Sequence, residues 1–214
     1  MSQGVGGKTR KRRKARPAAR TVVRLDLPSD VRLYVSPKGF WRLCAANREL
    51  RLERTARGAI EAMPPAGSGT GASNCELTFQ VAAWSRADGT GTAFDSSAGF
   101  TLPNGAVRAP DASWIVNERW KALTPEQQRV FAPICPDFVV ELRSPSDTLS
   151  KLQEKMQEYL DQGARLGWLL DPLTGNVEIY RPGRPVERLE RPATLSGEDI
   201  LPGFVLELKG ILYD

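Results

Sequence analysis

From about residue 22 onward the chain alternates between two patterns, apolar positions recurring every three to four residues and apolar positions recurring every second one. The first is the mark of a helix with one buried face, the second of a strand. Ser36 ahead of Pro37 fits an N-cap with proline at the first helical position, and predicts a short helix through Phe40, Trp41 and Leu43. Residues 51–55 alternate as a strand, Arg57 and Gly58 turn the chain, and Ile60, Glu61, Ala62 and Met63 return it. Pro64 and Pro65 end this hairpin, and the Gly/Ser-rich stretch 66–72 reads as a flexible loop. Leu77, Val81 and Trp84 predict a helix over about 74–84, and Asp88-Gly89 turns it into a strand ending at Phe94 and Asp95. Leu102-Pro103-Asn104-Gly105 is a hairpin signal, and residues 111–116 follow as another strand.

Thr124-Pro125-Glu126-Gln127 predicts a helix start with a capping box. The clearest periodicity lies in a helix from about Asp147 to Gln162, whose stripe is Leu149, Leu152, Met156 and Tyr159 and whose natural stop is Gly163. Strands follow at 166–170, 177–180 and 204–208. Such a succession predicts a mixed β-sheet flanked by helices, in the α/β or α+β class.

At 214 residues, 41% hydrophobic and 26% charged, the chain has the size and composition of one soluble domain. No apolar run approaches the roughly 18 residues that span a bilayer, so no membrane partner is expected. The basic N-terminus has no apolar stretch behind it, which argues against a secretory signal. Three widely separated cysteines, Cys44, Cys75 and Cys135, point to a reducing compartment and a cytoplasmic location. The absence of histidine excludes Ser-His-Asp and Cys-His triads and, without a CxxC pair, disfavours structural zinc.

The net charge of +5 is a property of one segment. Residues 1–20 hold eight basic side chains and no acid, which leaves 22 basic against 25 acidic residues, a net −3, in the remainder. The expected organisation is a disordered basic tail over 1–20 and a single domain over 21–214. The tail is either a solvated extension or an arm that tracks nucleic-acid phosphates.

Two acidic strand segments carry the candidate chemistry. In residues 137–143, period-two geometry puts Phe138, Val140 and Leu142 on one face and Asp137, Val139, Glu141 and Arg143 on the other. The second face carries three charges and does not suit an ordinary core. Either Glu141 and Arg143 pair with each other on a solvated sheet face, or Asp111, at the start of a neighbouring strand, sets its carboxylate beside Glu141. Two such carboxylates repel, and a divalent cation between them relieves the repulsion. Magnesium, or manganese, suits a site of one or two carboxylates completed by water and substrate oxygens. Lys155 stands at the edge of the apolar stripe of its helix. Its ammonium either reaches a cleft beside the sheet, to stabilise charge on a phosphate, or extends to water.

Beyond these residues lie Phe94-Asp95-Ser96-Ser97-Ala98-Gly99-Phe100, Leu102-Pro103-Asn104-Gly105, Arg108-Ala109-Pro110-Asp111-Ala112-Ser113-Trp114, the run from Pro136 through Arg143 to Asp147, the helix bearing Glu154, Lys155 and Tyr159, and Gly167-Trp168-Leu169-Leu170-Asp171-Pro172. In this order, from about Ser36 to the C-terminus, they resemble the bacterial Uma-type restriction endonuclease family of the PD-(D/E)xK nuclease superfamily. The resemblance implies a restriction-endonuclease-like fold, with Asp111 as first acid, Glu141 as second, and the Leu142 carbonyl as a further cation ligand. The superfamily's usual lysine, two residues after the second acid, is here Arg143, which stays protonated and is a worse proton carrier than lysine but offers a planar fork to phosphate. Lys155 would take the lysine's place. Glu76 is a candidate for an additional acid, and Asp95 and Asp137 for metal ligands or orienting partners.

The expected activity is Mg²⁺- or Mn²⁺-dependent hydrolysis of DNA phosphodiester bonds, with a homodimer as the simplest way to cut both strands of a duplex. The alternative is a catalytically degenerate nuclease fold that grips nucleic acid without cutting it. An interaction protein with surface salt bridges is a further rival. A two-carboxylate glycosidase is disfavoured, because no aromatic sugar platform lies near Asp111 or Glu141.

Overall fold

The computed structural model describes Met1 and residues 33–63 and 65–213. The expected tail over 1–20 and the expected onset of order near Val22 lie, Met1 apart, outside the described residues. Helix α1 (Pro37–Ala46) opens as the sequence predicts, with Ser36 Oγ accepting the Gly39 N–H at 3.1 Å. Strands β1 (Arg51–Arg54) and β2 (Ile60–Met63) pair antiparallel around Gly58. At φ +94° and with the Val35 carbonyl 3.0 Å from where a Cβ would stand, only glycine fits that turn.

The expected loop over 66–72 is a correction. Helix α2 begins at Ser68 and runs 21 residues to Asp88. Each glycine weakens a helix by about 1 kcal/mol relative to alanine, so residues 67–71 conceal the start. Leu77 and Val81, fully buried against the sheet, fix the middle of the helix, and the first turns propagate from there.

Strand β3 (Gly91–Asp95) is followed by β4 (Phe100–Thr101) and β5 (Val107–Arg108), joined by the predicted hairpin. After β6 (Ala112–Val116) comes a short helix α3 (Asn117–Lys121) that no periodicity announces. Helix α4 (Pro125–Gln128) has the predicted capping box but lasts a single turn. Strand β7 (Phe138–Leu142), helix α5 (Leu149–Asp161) and strand β8 (Leu166–Asp171) form a parallel crossover unit. The helix starts two residues later than expected because Asp147 Oδ2 accepts both the N–H and the hydroxyl of Ser144, closing a turn ahead of it. Strands β9 (Asn176–Tyr180), β10 (Glu187–Glu190), β11 (Thr194–Ser196) and β12 (Val205–Glu207) complete the chain. Of these, β10 and β11 carry too few apolar positions to be read from sequence.

The main sheet runs β10-β9-β8-β7-β6-β3, with β7–β8 its one parallel pair. A smaller sheet runs β2-β1-β5-β4. One face of the main sheet, with Trp114, Phe138, Val140, Trp168 and Leu170, is covered by Leu77 and Val81 of α2 and by the β11–β12 hairpin and the residues after it. The other face packs Ile115, Val139 and Leu169 beneath α5 and residues 100–106 of the smaller sheet. Contact with α5 is close: a Cβ on Gly167 would sit 2.5 Å from the Met156 methyl.

All five residues of β7 are therefore buried. The face that carries Asp137 and Glu141 was expected to be unfit for a core, yet it lies in the interior, because layers cover both sides of a central strand. Among the described residues no helix is long and apolar enough to cross a membrane.

Candidate active site

Strands β6 and β7 pair with Ala112 opposite Val140. One step further that register sets Asp111 opposite Glu141, where the Asp111 N–H donates to the Val140 carbonyl at 3.0 Å. Directly opposed side chains share one face of a sheet, with Cβ atoms about 5 Å apart. Asp111 is fixed from two sides: Leu142 N–H donates to its Oδ2 at 2.8 Å and Asn74 Nδ2, from α2, to its Oδ1 at 3.2 Å. The Oδ1 of Asn74 is buried without any hydrogen-bond partner.

Helix α5 brings Lys155 and Tyr159, one turn apart, to the same point. Lys155 Nζ lies 2.8 Å from Glu141 Oε1, and the Tyr159 hydroxyl donates to that oxygen at 3.0 Å. Both bonds fall on Oε1, so Oε2 has no hydrogen bond among the described residues. Lys155 is only 8% exposed, so its ammonium does not extend to water. It reaches across to Glu53 Oε1 at 2.9 Å as well.

Glu53, in β1, also accepts the Ala109 N–H at 2.9 Å and Arg108 Nη1 at 3.0 Å. Arg108 further binds Glu61 and Glu158, each at 2.6 Å. Five carboxylates (Glu53, Glu61, Asp111, Glu141, Glu158) thus gather around two buried cations, Arg108 and Lys155, with Arg51 at the rim.

One ammonium serving two carboxylates drives their titration apart. Burial pushes Glu141 up to about 7, because the attraction of Lys155 is offset by the nearby charges of Asp111 and Glu53. Burial likewise raises Asp111, although the Leu142 N–H and Lys155 work against it. Burial also opposes charge on Glu53, but there Lys155, Arg108 and the Ala109 N–H win and hold it below the ordinary carboxylate value. For Lys155, burial is outweighed by Glu141 and Glu53, so the ammonium stays protonated at neutral pH and acts as a donor rather than a base. Tyr159 is raised by burial and by Glu141, and remains a hydroxyl donor.

A cleft of about 570 Å³ opens on this cluster, with Asp111, Glu141, Leu142 and Asn74 on one side, Arg51 at its edge, and the glycine-rich start of α2 and the 144–147 turn around it. Among the described residues no group of three or more acidic or cysteine side chains is arranged around a metal position. The fit to a cation rests instead on two opposed carboxylates, the free Oε2 of Glu141, the orphaned Oδ1 of Asn74, and the excess of acid over base.

The remaining candidates lie elsewhere. Arg143 pairs with Asp171 at 2.8 Å, not with Glu141, so the surface pair that offered an alternative reading does not form. Glu76 accepts from Gln80; it is Asn74, two residues earlier on α2, that reaches Asp111. Asp95 is exposed and caps the backbone and hydroxyl of Ser97. Asp137, at the far end of β7, accepts from Val116 N–H and Arg119. Glu53 and Asn74 escaped sequence reading. For Glu53 a signal existed: the hairpin sets it opposite Glu61, and like charges so placed demand a cation between them.

The mixed sheet with helices on its faces and an acidic pair at the ends of two central strands is a restriction-endonuclease-like fold. Among solved structures, a "putative nuclease belonging to DUF820" from Anabaena variabilis shares it, with a TM-score of 0.69 and 21% identity over 83% of this chain and 97% of that one. Residues 37–209 match the model of the Uma2 family, described as "Putative restriction endonuclease", and the chain belongs to that family. No curated protein matches. Family and fold together support a nuclease function.

Proposed function

We propose that the chain is an endonuclease that hydrolyses DNA phosphodiester bonds with Mg²⁺, or Mn²⁺ in its place. The observation that carries this reading is the pairing of Asp111 and Glu141 at the floor of a cleft, with the ammonium of Lys155 held at 2.8 Å from Glu141. Asp111, Glu141 and the carbonyl of Leu142 would hold the cation. When bound, a divalent cation supplies Lewis acidity toward a phosphoryl oxygen and charge compensation for the paired carboxylates.

The chain's own groups supply the rest. Leu142 N–H and Asn74 fix the plane of Asp111, and Tyr159 and Lys155 fix Glu141 through one oxygen, leaving the other toward the cleft. Lys155, a permanent cation next to Glu141, would stabilise the charge that builds up on the phosphate oxygens. Arg143 is committed to Asp171 and takes no part. Three free thiols, Cys44, Cys75 and Cys135, support action in a reducing compartment such as the cytoplasm.

The test is incubation of supercoiled plasmid with the protein and Mg²⁺ or Mn²⁺, beside Glu141→Ala and Lys155→Ala. The proposal requires cleavage that a chelator abolishes and that both variants lose. Plasmid binding without cutting by any form would make the chain a nucleic-acid-binding module on a nuclease fold.

A further inference from the structure

Glu53 is no ligand in the cation site proposed above, yet its carboxylate ends at the centre of the charge cluster. It comes from the small sheet, 102 positions before Lys155 in the chain, and its side chain is 4% exposed. It is immobilised on two sides, by Arg108 through Oε2 and by the Ala109 N–H through Oε1. The same Oε1 accepts from Lys155, so Glu53 ties the lysine to backbone two residues before Asp111.

Lys155 faces two anions. Glu141 is the one that a cation would engage, and a cation arriving there repels the ammonium beside it. The lysine then keeps its place only if a second anion holds it, and that anion must itself be unable to follow. Glu53 meets both conditions. Glu61, its opposite number in the hairpin, shares Arg108 but makes no contact with Lys155.

We infer that Glu53 is the positioning residue of this site: it holds the ammonium of Lys155 in place next to Glu141, and stays its counter-ion when Glu141 turns to a cation. This rests on the phosphodiesterase reading and adds the small sheet to the catalytic apparatus. Without the charge of Glu53, Lys155 has Glu141 as its sole acidic partner and competes with the cation for it.

The experiment compares wild type, Glu53→Gln and Glu61→Gln by calorimetric titration with Mn²⁺ and by plasmid-nicking kinetics, with folding checked by circular dichroism. Glu53→Gln keeps the acceptor for Ala109 and loses the charge. Its Mn²⁺ affinity should fall about tenfold, the change of about 1.4 kcal/mol that one weakened charge contact brings. Its kcat at saturating Mn²⁺ should fall about a hundredfold, as for a displaced catalytic group. KM for plasmid should not move, because Glu53 is out of reach of substrate. Glu61→Gln, which loses an Arg108 contact but none with Lys155, should lose less than Glu53→Gln in both affinity and kcat. Should Glu53→Gln not fold, Glu53→Asp decides: it retains the charge for Arg108 but is one methylene short of Lys155, and should show the same two losses. Wild-type affinity and kcat in the folded Glu53 variant, or equal losses in the Glu53 and Glu61 variants, would overturn the inference while leaving the site reading intact. A wild type that neither takes up Mn²⁺ nor cuts would remove the reading and the inference together.

Discussion

Asp137 and Glu141 sit four residues apart on one face of one strand, and both are buried, at 1% and 3% exposure. Their surroundings differ in how fully the charge is compensated. Asp137 has a cation of its own: Arg119 Nη1 donates to Oδ1 at 2.7 Å, Val116 N–H donates to Oδ2, and the same arginine also caps the Cys135 carbonyl. Glu141 shares Lys155 with Glu53 and lies opposite a second acid, Asp111. The Asp137 end is a closed structural joint between strand and loop. The Glu141 end is short of positive charge and opens on a cleft. Burial of a carboxylate therefore does not mark a site; incomplete compensation does.

The comparison breaks most visibly in activity. Glu141→Ala and Lys155→Ala should each lower plasmid cleavage by about a thousandfold, the scale of losing a charge-stabilising group. Asp137→Ala, assayed on folded protein, should cleave within a few-fold of wild type. Its loss should appear in stability instead. Removing that carboxylate breaks its bond to the partly exposed Arg119 and leaves the Val116 N–H unsatisfied, at a cost of about 2 kcal/mol in urea unfolding.

A subtler contrast lies in pH. Glu141 titrates near 7 in the folded chain, above the ordinary carboxylate value of 4.5. Between those limits the native state holds a proton that the unfolded state lacks, so this group's contribution to stability falls as pH rises. Melting temperatures of wild type and Glu141→Gln, taken from pH 4.5 to 8, should therefore diverge in favour of the variant toward higher pH. Parallel curves would mean that Glu141 is as well compensated as Asp137. The smallest effect is expected of Arg119→Lys, which keeps a charge on Asp137 but loses the bond to the Cys135 carbonyl. It should cost about 1 kcal/mol and leave cleavage unchanged.

The elements that frame this contrast were legible in the chain. Alternation over 137–143, the stripe of α5 with Lys155 at its edge, and the hairpin at 102–105 all follow from local periodicity, which a strand or helix imposes within a few residues. The acids Asp111 and Glu141 could be placed on neighbouring strands for the same reason. What distinguishes Asp137 from Glu141 could not be read, because their partners Arg119, Glu53 and Tyr159 are chosen by packing between layers. Glu53 lies in a run of charged residues that looks like an exposed hairpin, and nothing local says that the small sheet folds over α5. The start of α2 was hidden by glycines whose weak helix propensity is overruled from the buried middle of that helix.

Anomalous diffraction from crystals soaked in Mn²⁺ tests the central claim most directly, since it locates the cation without relying on turnover. A peak within bonding distance of both Asp111 and Glu141, with none at Asp137, is the predicted result. No peak at the Asp111–Glu141 pair, or one bound away from it, would contradict the account.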